Sequence, residues 1–175
     1  MKVRIAHKSD AKQPLPETLS ELPRYNLPDA VNRSNPRSFA LQLQQQSPYW
    51  LLNGRVFETE AVADNEIVKL NTLELWEFDN LPGPEGQMET AHPMHLHGLQ
   101  FQVIERIVRP DMAALRDQVN AGFTDEGWKD TVLVMPGEKI RFLAKFEDYA
   151  GLYLYHCHNL EHEDKGMMRN YRITA

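Results

Sequence analysis

The chain has 175 residues, a formal charge of −6 and 42% hydrophobic residues, enough to bury one sizeable core but too few for several stacked domains. The acidic balance and the lack of any basic run exclude a nucleic-acid-binding surface, which needs clustered Lys and Arg. A single cysteine excludes an intrachain disulfide, and no stretch is long and apolar enough to span a bilayer, so the chain as given reads as soluble, with no membrane partner.

Met1 to His7 alternates Val3 and Ile5, the pattern of one strand. Met1 to Asp10 has no long apolar core of the kind a secretion signal carries. Five of the eleven prolines (Pro14, Pro16, Pro23, Pro28 and Pro36) fall in the first 36 residues, a density that suits an extended arm and linker over residues 1–35 and disfavours helix or central strand. An ordinary flexible tail is the alternative. From Ser38 onward, short alternating runs separated by turn residues predict an all-β, antiparallel Greek-key β-sandwich over residues 36–175. Phe39, Leu41 and Leu43 share one face, and Asn53-Gly54 marks a turn after Tyr49 to Leu52. Leu99, Phe101 and Val103 alternate with Gln100 and Gln102. Asp111 to about Val119, with Pro110 at its start, is the one short helix. Ile140, Phe142, Ala144 and Phe146 alternate after the Pro136-Gly137 turn.

Two stretches carry the chemistry. They are His92-Pro93-Met94-His95-Leu96-His97-Gly98 and His156-Cys157-His158-Asn159-Leu160-Glu161-His162-Glu163-Asp164-Lys165-Gly166-Met167, and together they hold six of the seven histidines and the only cysteine. On a strand, His156 and His158 point to one side and Cys157 to the other, so one strand can serve two metal sites. His162 follows Cys157 by five residues and Met167 follows His162 by five, spacings that suit a loop folded around one ion. Two imidazoles from His92 and His162, the Cys157 thiolate and the Met167 thioether form a set suited to blue copper. Zinc is the competing metal, although structural zinc takes more thiolates and does not seek a thioether. Clustering of core histidines without a metal is the remaining alternative.

Both stretches resemble the C-terminal ligand motifs of the multicopper oxidases, the family of laccase and bilirubin oxidase. The resemblance implies a cupredoxin-like domain, the last of its parent. Met1 to His7 would match the end of the preceding domain, and Leu15 to Pro23 the interdomain connection. It also implies a type 1 copper held by His92, Cys157, His162 and Met167, a type 2 ligand in His95, and type 3 ligands in His97, His156 and His158. The last four are half the ligands of a trinuclear copper cluster, and the His-x-His pairs of the family's N-terminal domain have no counterpart here. Glu163 matches a carboxylate that in bacterial relatives helps deliver protons to dioxygen; a solvated loop glutamate is its plainer reading. Glu161 and Asp164 are expected near the copper rim.

Asn159-Leu160-Glu161, Met167-Met168 and Gly127-Trp128-Lys129-Asp130-Thr131 resemble bilirubin oxidase and the bacterial laccases, with Trp128 expected to cap the sandwich core. Met88, Met94, Met112 and Met135 are scattered, unlike the methionine-rich insertion of cuprous oxidases.

The expected function is therefore a copper-binding oxidoreductase domain. It would accept single electrons from a phenolic or dye-like small-molecule reductant, with Cys157, His156, His158 and Glu163 as its catalytic residues. A stand-alone electron-transfer cupredoxin without oxidase activity is the alternative, although such a carrier has no need of His95, His97, His156 and His158. The partners implied are the missing N-terminal cupredoxin domains or other chains. Apolar and histidine-bearing surfaces left open favour a homo-oligomer, and copies could meet through their histidine faces. Family members are commonly periplasmic or extracellular, while the residues of this chain leave its own location open.

Overall fold

The computed structural model describes residues 3–4, 6, 14–44, 49–80 and 90–175, so the strand expected over Met1 to His7 falls largely outside the described residues. The first half of the chain forms β1 (Arg37–Gln44), β2 (Tyr49–Leu52), β3 (Ile67–Lys69), β4 (Thr72–Asp79) and β5 (His92–Leu96). The second half forms β6 (Phe101–Val108), α1 (Ala113–Val119), β7 (Thr131–Val134), β8 (Glu138–Phe146), β9 (Gly151–Cys157), α2 (Leu160–Glu163) and β10 (Met168–Thr174). One sheet has the order β2-β1-β4-β8-β6 and the other β3-β10-β9-β5-β7. Pairing is antiparallel except for β1 with β4 and β3 with β10.

Each strand turns its alternate apolar residues into the space between the sheets. Phe39, Trp76, Phe78, Phe101, Phe142 and Tyr155 are fully buried there, and tilted ring contacts such as Phe39 on Trp76 and on Tyr155, both 4.8 Å, fill the layer. No described helix is long and apolar enough to cross a membrane.

Two expectations change. The helix is shorter than its pattern because a 3-10 turn over Pro110–Met112 precedes α1; the Met112 N–H closes it on the Arg109 carbonyl at 2.9 Å. Gln102 occupies an outward position of β6 but is buried, because the N-terminal arm lies across it. Its amide oxygen accepts from the Tyr25 N–H at 2.9 Å and its amide nitrogen donates to the Pro23 carbonyl at 2.7 Å. The arm is thus held by hydrogen bonds at Pro23 and Tyr25. It is held again where the Val31 N–H meets the Leu73 carbonyl and where Asn32 bonds Leu75.

One buried ion pair fastens the second sheet. The Glu66 carboxylate, 0% exposed, accepts two bonds from the Arg169 guanidinium at 2.9 and 2.8 Å, one from the Tyr155 hydroxyl at 2.8 Å and one from the Ala63 N–H at 2.6 Å. Burial pushes the carboxyl up, but Arg169, the Ala63 N–H and Tyr155 more than offset it, leaving Glu66 below its ordinary value of 4.5. A depressed carboxylate contributes stability above its unfolded value, and that contribution is lost as pH falls through the folded one. Glu66→Gln leaves Arg169 buried without its counter-charge and should cost about 3–5 kcal/mol in urea denaturation at pH 7. The gap between parent and variant should narrow as the pH is lowered below about 4. A gap that does not change with pH would show that the Glu66 charge is not what stabilises this contact.

Candidate metal centre

β5 and β9 lie side by side with Met94 opposite Cys157 and His95 opposite His156. The register puts His92, Met94, Tyr155 and Cys157 on the core side, where all are buried. His95, His97 and His156 therefore face the other way. The expected alternation about Cys157 is present, and two separate groups of donors result.

The first group is His92, Cys157 and His162. The two Nδ1 atoms are 3.2 Å apart, and they lie 3.6 Å (His92) and 3.5 Å (His162) from the Cys157 Sγ. Metal bonds of about 2.0–2.1 Å to nitrogen and about 2.3 Å to sulfur, at tetrahedral angles, require separations of about 3.3 and 3.5 Å. The three donors already stand at that spacing. The Thr90 hydroxyl, 3.2 Å from His92 Nε2, occupies the ring's far nitrogen and leaves Nδ1 to face inward.

Burial, followed by the neighbouring His162, lowers His92 from 6.5 to about 3, so its ring is neutral and available as a ligand. His162 is also lowered, first by burial, with Glu161 opposing and Lys165 adding. The Cys157 thiol is pushed up by burial from 9.0 to about 11, against the Asn159 N–H, which favours the thiolate.

His162 rides on the one-turn helix α2 and not on an open loop. The turn forms because the His162 and Glu163 N–H groups both close on the Asn159 carbonyl at 3.0 and 2.9 Å. Met167 returns the chain to the site: its N–H donates to the His162 carbonyl, and its carbonyl accepts from the Cys157 N–H, both at 3.0 Å. Its side chain is fully buried.

The second group is His95, His97 and His156, whose donor atoms lie within 4.8 Å of one another. His95 Nδ1 is 2.8 Å from the Asp130 carbonyl, and His156 Nδ1 is 3.0 Å from the Cys157 carbonyl. A carbonyl only accepts, so each Nδ1 carries the hydrogen and each Nε2 keeps its lone pair. His97 Nε2 and His156 Nε2 stand 3.1 Å apart, close enough to share a proton or a cation. Burial, then His95 and His156, lower His97, while the Glu163 charge opposes them. His158 is exposed and lies outside this tight set, with its ring 5.6 Å from that of His95 and 5.2 Å from that of His156. The chain leaves His97 through Gly98 at φ +83, where a Cβ would lie 2.6 Å from the Tyr153 ring.

Glu163 links the two groups. It neighbours His162 in sequence, yet its carboxylate lies 3.5 Å from His156 Nδ1. Glu161 and Asp164 are exposed on and beside α2. Trp128 does not cap the core. It is half-buried, stands edge-on to Tyr25 at 5.2 Å, and lines a cleft of about 560 Å³ with His95, His97 and Asp130. The docked arm supplies Tyr25 and so holds the indole at the rim.

Trp50 has no signal in the sequence beyond its strand, yet its indole stacks on the His162 ring at 3.8 Å and meets His92 edge-on at 5.2 Å. Thr90 precedes its motif by two residues and was equally silent.

Residues 28–175 match a family model described as multicopper oxidase. The chain is 31% identical over 180 residues to a laccase of Bacillus subtilis, an alignment covering 97% of this chain and 33% of the laccase. It is 30% identical over 180 residues to a bilirubin oxidase of Albifimbria verrucaria, covering 99% of this chain and 28% of that protein. The crystal structure of the McoA multicopper oxidase from Aquifex aeolicus superposes with a TM-score of 0.70 at 31% identity, covering 95% of this chain and 34% of that one. The chain thus spans about a third of the length of these relatives.

The environment of Cys157 generates a prediction for the metal-free protein. A thiol moved from 9.0 to about 11 has about a hundredth of the usual thiolate at neutral pH. Ellman's reagent should modify the folded chain at least about 100-fold more slowly than the urea-unfolded chain. Comparable rates would mean that the thiol is neither shielded nor held protonated.

Proposed function

The chain belongs to the multicopper oxidase family, and from that membership we propose that it is the C-terminal, cupredoxin-like domain of a laccase-like enzyme. In this reading it accepts single electrons from phenolic or similar small reductants at a type 1 copper and carries half the ligands of a trinuclear cluster. The observation that carries the proposal is the spacing of the His92, Cys157 and His162 donors, which already matches that of metal ligands. Copper bound there supplies one-electron oxidation and reduction. One thiolate, with a buried methionine whose carbonyl accepts from the Cys157 N–H, favours copper over zinc, which prefers further thiolates.

His92, Cys157, His162 and Met167 form the type 1 set, His95 the type 2 ligand, and His97, His156 and His158 the type 3 ligands. The chain's own residues then have distinct tasks. A single peptide bond joins His156 to Cys157, and the hydrogen bond from His156 Nδ1 to the Cys157 carbonyl at 3.0 Å closes a second, shorter route between the two groups. That pair is the conduit for an electron passing between them. Glu163, facing His156 from the same turn that carries His162, is placed to hold and release a proton on the histidine side.

We assign residues 1–35 to an arm and linker and 36–175 to the domain; the opening of β1 at Arg37 supports the division. The missing partners are the N-terminal domains, with self-association of the chain as a consequence of the open histidine face. The stand-alone carrier draws no support from the comparisons.

Copper loading should produce an intense blue thiolate band that Cys157→Ser abolishes. A colourless loaded parent with its thiol intact and reduced overturns the type 1 assignment. Met167→Leu should keep the band and raise the reduction potential, since losing a weak axial donor destabilises Cu(II) more than Cu(I); a lowered potential contradicts an axial role. During phenol oxidation the isolated chain should consume oxygen slowly and release peroxide. Rapid turnover to water with a full cluster's copper content would show that chains share their histidines.

A further inference from the structure

We infer that Trp50 is a positioning residue for the metal centre, clamping the His162 imidazole in the plane that presents Nδ1 to Cys157 and His92. The inference rests on the type 1 reading of that group. His92 and His162 are held differently. His92 lies within a strand, is buried, and has its far nitrogen engaged by Thr90. His162 stands on a single helical turn and is only half-buried. Its Nδ1 already points at the would-be ligand atoms, and Asn159 Nδ2 reaches that same Nδ1 only at 3.4 Å. In the metal-free chain those contacts leave the plane of the ring weakly fixed, and the indole supplies the missing constraint.

The geometry supports a clamp over incidental packing. The two rings stack at 3.8 Å with an interplanar angle of 29°, while the same indole meets His92 edge-on, so Trp50 touches both imidazoles of the group. It is 8% exposed, and stacked at 3.8 Å it is a lid over one face of the His162 ring, the rest of which stays half-exposed. The backbone secures the lid, because the Trp50 N–H donates to the Lys165 carbonyl at 3.1 Å, tying β2 to the turn that follows α2. Behind that turn, a Cβ on Gly166 would meet the Val56 side chain at 3.3 Å, so the segment is packed closely against the chain that follows β2.

A held imidazole and an excluded solvent act in one direction on a bound copper. Freeing His162 would let the site relax toward the geometry preferred by Cu(II), and admitting water would stabilise the more highly charged ion. Removing the indole should therefore lower the reduction potential.

The test compares the full chain with Trp50→Phe, which keeps a stacking ring, and Trp50→Met, which is nearer to Phe in size but has no ring. Thermal unfolding verifies that each variant is folded. After copper loading, Trp50→Met should change the ratio of Cu(I) to Cu(II) affinity about tenfold toward Cu(II), or about 59 mV for a one-electron couple. It should also alter the EPR hyperfine splitting. Trp50→Phe should restore most of the parent's values. A folded Trp50→Met protein with the parent's potential and spectrum overturns the inference, as does a Trp50→Phe protein shifted equally far.

The metal-free protein supplies an arm that needs no copper. The His162 ring protons of the parent should lie upfield in NMR spectra through the indole ring current and move downfield in Trp50→Met; ordinary shifts in the parent overturn the clamp whether or not the variants fold. A parent that binds copper without a blue band refutes the type 1 reading, and the ring-current measurement still decides the clamp.

Discussion

The pairing of β5 with β9 is the constraint on which both donor groups depend. With Met94 opposite Cys157 and His95 opposite His156, the core-facing and outward-facing positions of the two strands are in step. A slip of one residue would turn Cys157 out of the core and His156 into it, exchanging a buried thiol for a buried imidazole. The core opposes such a slip because Met94, Leu96 and Tyr155 are all fully buried on the same side. Hydrophobic burial thus fixes a register, and the register sorts the donors. No interaction among the donors themselves is needed to set His92 and Cys157 on one side and His95 and His156 on the other, and α2 then brings His162 to the first pair.

The core around that register has a polar keystone. Tyr155, two residues before Cys157, is buried with its hydroxyl on Glu66, and Glu66 is gripped by Arg169, two residues after Met167. The arms of the chain that enter and leave the metal group are therefore joined through one carboxylate on the turn before β3. Burial raises the Tyr155 hydroxyl well above its ordinary value, with the Glu66 charge adding to it, so the hydroxyl stays a donor. A buried ion pair of this kind contributes position more than net stability, because the cost of desolvating both charges offsets much of their attraction.

Much of this was legible in the sequence. Period-two runs over Phe39, Leu41 and Leu43 and over Ile140 to Phe146 mark core faces directly, and the donor residues stand in two contiguous stretches whose strand alternation can be counted. What could not be read came from residues brought in by topology. Trp50 lies more than a hundred positions from His162 and carries no periodic signal of its contact. Gln102 obeys the outward alternation and is buried only because a proline-rich arm crosses it, and the same arm places Tyr25 beside Trp128, which holds that indole at a cleft instead of in the core. Glu66 sits in a polar turn that reads as solvated, and only the fold reveals its buried arginine. The one-turn helix under His162 is shorter than any pattern can announce.

The two donor groups differ in how far one domain can complete them. Those of the first converge from β5, β9 and α2 of a single sandwich, with Trp50 of the opposite sheet stacked on His162. Those of the second project from the outer face of β5 and β9, beside an open cleft, with His158 exposed. Among the described residues, the group of three histidines with donors in mutual reach gains no fourth His, Cys, Asp or Glu donor. The chain, which spans about a third of its relatives' length, thus contains one donor group enclosed in the core and one set on an open face. The peptide joining His156 to Cys157 is the point at which the two conditions meet, and Glu163, on the turn that carries His162 but facing His156, is the only acidic side chain among the described residues paired with a histidine of the open group.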